Sequence, residues 1–164
     1  LDPLNWVTAW VAITDSNENN GCMRMWSGSH KNNLKDHDQM FNEGNLLTRG
    51  QTVNNVPKDK TTPLILKAGQ MSLHHPTLVH GSDLNKSNDR RIGFVIQSYI
   101  STDVKQVLGK NSVQLARGFD EFNYHKIIDR PKSLMDKKDL KVKKQENENL
   151  QKIFYTGSQK KGKY

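Results

Sequence analysis

Hydrophobic and polar positions alternate along the first hundred residues in short runs broken by turn chemistry. Residues 4–13, LNWVTAWVAI, are β-branched and aromatic and predict a buried strand. SNENNG at 16–21 is a turn, and CMRMW at 22–26 predicts a return strand. GSHK and the polar stretch to about Arg49 predict a loop. TPLILK (62–67), QMSLHH (70–75) and RRIGFVIQSYI (90–100) predict three more strands, the middle one stopped by Pro76. Short strands at this spacing predict a sandwich or barrel. After Ser101 the pattern changes. TDVKQVLG predicts one or two helical turns, and KKDLKVKKQENENLQKIF (137–154) predicts a polar surface helix. Two domains are therefore expected: residues 1–101, and an extension over 102–164 with a lysine-rich helix and tail.

Composition changes this picture in two places. The net charge of +8 suggests nucleic acid, but ten lysines against four acids from Lys132 onward hold six of those eight charges. The body is nearly neutral, so the tail is expected to be a solvated face, with no nucleic-acid partner. The lone cysteine, Cys22, excludes an internal disulfide and fits a reducing, cytoplasmic setting. It is expected to be a small core residue. No apolar run approaches the roughly 18 residues of a membrane span, so no membrane partner is expected.

The candidate chemistry lies in LHHPTLVHGSDLNKSNDRRIGF. His80 ends an apolar run and Arg91 lies on the next predicted strand. If these strands form a hairpin centred near Asn85 and Lys86, His80 faces Arg91 and both project into one space. An imidazole for a metal and a guanidinium for a carboxylate suit a 2-oxo dicarboxylate. Taken alone, a His before Gly-Ser is more often a hydrogen-bonded structural residue, and Arg90-Arg91 more often a surface pair.

The wider order of motifs shifts that balance. WVAITDSNENNGCMRMWSGSHK followed by LKAGQMSLHHPTLVHGSDLNKSNDRRIGFVIQ resembles the phytanoyl-CoA dioxygenase family over about residues 4–100, and more weakly through RGFDEFNYHKIIDRP. The resemblance implies a mainly β, double-stranded β-helix (jelly-roll, cupin-like) fold that uses Fe(II) and 2-oxoglutarate. Ascorbate is admitted as an accessory reductant. It also implies roles: His80 as an iron ligand, Arg91 and Ser82 as the partners of the far carboxylate of 2-oxoglutarate, and Trp10 beside that cosubstrate. Alternation supports the placement. If Trp10 faces inward, so do Thr8 and Ala12; if Arg91 does, so do Gly93, Val95 and Gln97, and the inner face is small or polar.

One of His74 and His75 could line the pocket, with structural roles the commoner outcome. His30 is expected to anchor its loop and His37 to be solvated. Ser27 stands where the family usually has proline. The family's other two metal ligands come as His-x-Asp shortly before the Trp-containing strand, and that place falls at or before Leu1. The chain is therefore expected to be an N-terminally incomplete piece of the domain, unable by itself to turn over 2-oxoglutarate. The implied reaction is hydroxylation of an unactivated C–H bond in a small-molecule or acyl substrate, with 2-oxoglutarate decarboxylated to succinate. Two alternatives stay open: a halogenase of the same family, and a non-catalytic cupin-like module that binds a carboxylate.

Overall fold

The computed structural model describes residues 1–32, 34–41, 47 and 49–158. Lys160, Lys161 and Lys163 of the expected lysine tail, and part of the loop between Asn32 and Lys60, lie outside them. The strands are β1 Trp6–Ala12, β2 Met23–Trp26, β3 Asp38–Gln39, β4 Gln51–Thr52, β5 Thr61–Pro63, β6 Met71–His74, β7 His80–Ser82, β8 Gly93–Ile100, β9 Ser112–Val113 and β10 Lys126–Ile127, followed by helix α1 Lys137–Phe154. Two compact units result. One holds Trp6–Asp38 and Thr52–Ile100; the other holds Leu1–Asn5, Gln39–Gln51 and Ser101–Tyr164.

The first unit carries two three-stranded sheets, ordered β6-β1-β8 and β5-β2-β7. Every pairing in both is antiparallel. The chain passes from one sheet to the other between β1 and β2, β5 and β6, β6 and β7, and β7 and β8. Trp10 and Ala12 of the first sheet meet Met23 of the second in a small core, with Met25, Leu64 and Leu66 packed against it. That contact fixes which faces look at each other. In the register, Trp10 sits opposite Val95 on one side and Ser72 on the other, and Ala12 sits opposite Gly93. Paired residues share a face, so Trp10, Ala12, Gly93 and Val95 of the expected inward set face the second sheet, while a register shift between Val7 and Ala9 interrupts the alternation before Gln97. The opposite face leaves Met71, Leu73, Phe94 and Tyr99 largely exposed.

Several local expectations are corrected by this topology. Residues 22–26 are a strand, but β2 pairs with β5 and β7 and never with β1, so it is no return strand. The Asn-rich turn instead carries the chain across: Asn17 and Asn20 bond each other, and the Asn20 amide donates to the Asp15 carbonyl at 2.8 Å. The 62–67 run is a strand only to Pro63. Beyond it, Leu66 forms an isolated bridge with Ser16.

In the second unit, the helical turns expected over 102–109 do not form. Lys105 pairs its backbone with Asp2 instead, with N···O distances of 2.6 and 2.9 Å, and Val104 is fully buried. A tertiary backbone partner here outweighs a weak local preference. Helix α1 has the expected bounds because its signals are local. Asp136 accepts from the Lys138 and Asp139 amides at its N-terminus, where those donors would otherwise be unpaired. This unit also holds an apolar hollow of about 720 Å³ beside α1, lined by Val113, Ile128, Leu140 and Val142 among others. Two of its acids are already spent, Glu146 on Ser112 and Asp136 on the helix start. No helix among the described residues is long and apolar enough to cross a membrane.

Candidate cosubstrate and metal site

The hairpin expected around Asn85 and Lys86 does not exist as a paired ladder. Strand β7 pairs with β2, and β8 pairs with β1, so His80 lies in one sheet and Arg91 leads into the other. The loop between them crosses the gap. It is propped by the turn at 16–21: the Lys86 amide donates to the Asn19 carbonyl at 2.9 Å. Gly21, at φ 75°, passes so close that a Cβ would lie 2.6 Å from the Asp83 carbonyl oxygen. Only glycine suits both the left-handed backbone and the approach.

The crossing brings together residues that the sequence had paired for another reason. Arg91 donates from Nη2 to Ser82 Oγ at 3.2 Å, and its guanidinium stands 5.7 Å from the centre of the Trp10 ring. His80 lies on β7 with Ser82, two residues away and so on the same side. Its Nδ1 is 2.8 Å from the Leu78 carbonyl. A carbonyl can only accept, so Nδ1 carries a proton, and in the neutral ring it is Nε2 that holds the lone pair. The ring is exposed. All four expected site residues, Trp10, His80, Ser82 and Arg91, thus lie on the two facing sheets or at their edge.

Residues that the sequence reading missed hold these in place. Thr14 clasps the backbone on both sides of Arg91: its hydroxyl donates to the Arg90 carbonyl at 2.9 Å and accepts from the Ile92 amide at 2.9 Å. No local signal marked it. Gly93 allows the Trp10 indole to lie against the backbone of β8, since a Cβ there would be 2.1 Å from Cζ2. A glycine inside a strand pattern was a legible signal of close approach. Ser29, buried in the GSHK turn, accepts from the Val79 amide at 2.9 Å, and the His30 carbonyl accepts from Thr77. The turn therefore anchors the segment that ends in His80.

The two adjacent histidines take different roles. His75 bonds the Thr77 hydroxyl through Nδ1 at 2.8 Å and belongs to the turn. His74 is buried, with its ring centre 5.1 Å from that of His80. Burial pushes its pKa below the usual histidine range, and the nearby His80 pushes it the same way. Cys22 is buried as expected. Burial raises its thiol pKa, and the Glu18 carboxylate adds to this. His37 is exposed, and Ser27 shares a hydrogen bond of 3.3 Å with the Thr62 hydroxyl. Among the described residues, no three or more of His, Cys, Asp and Glu converge in a group that could hold a metal ion.

Comparisons with known proteins show which family and fold the chain resembles. The family model described as "Phytanoyl-CoA dioxygenase (PhyH)" matches residues 2–93. Human peroxisomal phytanoyl-CoA dioxygenase is 34% identical over 86 residues, which cover 52% of this chain and 25% of that protein. A probable alpha-ketoglutarate-dependent hypophosphite dioxygenase of Stutzerimonas stutzeri is 27% identical over 107 residues, covering 64% of this chain and 37% of that one. Among solved structures, the apo form of the non-heme monooxygenase ThoJ superposes with a TM-score of 0.81 at 28% identity, over 94% of this chain and 56% of ThoJ. The chain thus spans about a quarter to a third of these curated relatives and about half of that solved structure.

Proposed function

The chain belongs to the phytanoyl-CoA dioxygenase family and has its mainly β, cupin-like fold, and from that premise we propose that it forms the cosubstrate side of an Fe(II)/2-oxoglutarate-dependent dioxygenase. The reaction proposed is hydroxylation of an unactivated C–H bond in a small-molecule or acyl substrate. The observation that carries the reading is the Arg91–Ser82 hydrogen bond set beside the Trp10 ring, with Ser82 on the same strand as His80.

The residues present fit the implied groups. His80 has the tautomer a metal ligand needs, with Nδ1–H tied to a backbone carbonyl and Nε2 free. It would supply one ligand of the set. Arg91 and Ser82 lie within hydrogen-bond distance of each other and between them offer N–H and O–H donors, which suits a carboxylate. Trp10, itself buried, offers an aromatic face, against which the Arg91 guanidinium stands. When bound, iron with 2-oxoglutarate supplies the oxidising chemistry, coupling oxygen-dependent decarboxylation of the cosubstrate to oxidation of the substrate. The protein's own part is to bind, orient and shield.

The test is titration of 2-oxoglutarate into the anaerobic Fe(II)-loaded intact protein, followed by succinate formation in air. Substrate-free succinate production that disappears in His80→Ala supports the reading. Unchanged metal retention in His80→Ala would remove that residue from the site. Saturable carboxylate binding with no metal dependence would favour a non-catalytic binding module.

A further inference from the structure

Two polar side chains of β6 have side-chain atoms that no other described residue answers. The register sets Ser72 opposite Trp10 and His74 opposite Thr8, so both project on the face that carries Trp10. His74 packs there against the His80 ring, 5.1 Å between centres. Ser72 Oγ and His74 Nδ1 are each closed off from solvent, and among the described residues neither has a hydrogen-bond partner. His74 as a whole is only 8% exposed. A buried polar atom with no partner lowers the stability of the protein that holds it, and apolar side chains at both positions would remove that cost. Polar groups kept at such a cost next to a reaction centre are characteristic of a surface awaiting a ligand.

We propose that Ser72 and His74 form a hydrogen-bonding subsite for a neutral polar group, an amide or hydroxyl, of the molecule to be oxidised. The inference rests on the oxygenase reading above and adds to it the class of substrate. A saturated chain offers neither donor nor acceptor and would leave both atoms unpaired. A second carboxylate would bring a charge with no counter-ion, because in the reading above Arg91 is taken by the carboxylate of the cosubstrate. A neutral group with both a donor and an acceptor satisfies the pair: the serine hydroxyl turns to give or take a proton, and the ring nitrogen does one or the other according to its tautomer. Because His74 touches His80, the carbon attacked is a near neighbour of that polar group, not the far end of an alkyl chain.

His74→Phe and Ser72→Ala remove the two polar atoms separately. In thermal denaturation without ligand, each variant is expected to gain about 2–4 °C. A residue kept for its own structural hydrogen bond would give a loss. The second readout uses octanamide as the polar probe and octane as the apolar-chain control, on the intact protein loaded with Ni(II) and 2-oxoglutarate. Octanamide affinity is expected to fall by about fivefold or more in each variant, with the control changing by less than about twofold. A lowered Tm in both variants overturns the proposal, and so does octanamide affinity within about twofold of the unsubstituted protein. Failure of the unsubstituted protein to bind Ni(II) and 2-oxoglutarate would sink the oxygenase reading instead, while the denaturation result still decides whether β6 is a ligand surface.

Discussion

Arg91 and Ser82 are joined by a 3.2 Å hydrogen bond, although one leads into β8 and the other ends β7, and those strands belong to different sheets. The bond therefore bridges the two sheets at the place proposed above for a carboxylate.

Arg91→Ala is expected to weaken 2-oxoglutarate binding by about tenfold to a hundredfold, because a charge-assisted pair contributes roughly 1.5–3 kcal/mol. Ser82→Ala, which removes a neutral donor, is expected to cost about 0.5–1.5 kcal/mol. Calorimetric titration of 2-oxoglutarate into metal-loaded protein measures both, with metal affinity followed in parallel. Equal losses of metal and cosubstrate in Arg91→Ala would mean that the arginine supports the fold as a whole. If cosubstrate binding is unchanged, Arg90 becomes the candidate.

Thr14→Val keeps shape but removes the hydroxyl that bonds the Arg90 carbonyl and the Ile92 amide. These bonds are exposed, so the stability loss is expected to be about 0.5–1.5 kcal/mol in urea denaturation. The effect on function is expected to be more specific: 2-oxoglutarate affinity falls several-fold, at about the scale of one hydrogen bond, while metal retention is kept. Restoration by Thr14→Ser would show that the hydroxyl and not the methyl group is responsible.

Gly93→Ala sets a methyl group where the Trp10 indole lies, 2.1 Å from Cζ2 and 2.2 Å from Cε2. One of the two must move. A stability loss of about 1–3 kcal/mol and a change in tryptophan emission are expected. Adding Trp10→Phe in the Gly93→Ala background should recover part of the loss, because the smaller ring leaves room. Additive losses in that cycle would contradict direct packing of residue 93 against residue 10.

Cys22 gives a pH prediction. Its thiol pKa is raised in the folded protein by burial, so the folded state holds the proton at pH values where an unfolded thiol has lost it. Stability from this group is complete below the unfolded thiol pKa and declines as pH rises above it. Native protein should react with Ellman's reagent far more slowly than urea-unfolded protein, and Cys22→Ala should flatten the alkaline fall in stability. A thiol that reacts at the same rate in both states would contradict its burial.

What the sequence determined by itself was local or periodic. The alternation around Trp10 identified Thr8, Ala12, Gly93 and Val95 as one inward set, because a strand turns successive side chains to opposite faces whatever its partners are. The bounds of α1 were legible because helix hydrogen bonds and the Asp136 cap lie within a few residues of one another. The order of motifs was enough to indicate the family. Tertiary structure alone decided the pairings. A two-residue period states which face a strand buries and not which strand lies beside it, so β2 read as a return strand and 80–91 as a hairpin, while the chain in fact crosses between sheets at both places. The same limit hid Thr14, whose hydroxyl reaches partners 76 and 78 residues away. It left His74 and His75 indistinguishable, because only the packing of β6 and the turn after it sends one ring to His80 and the other to Thr77.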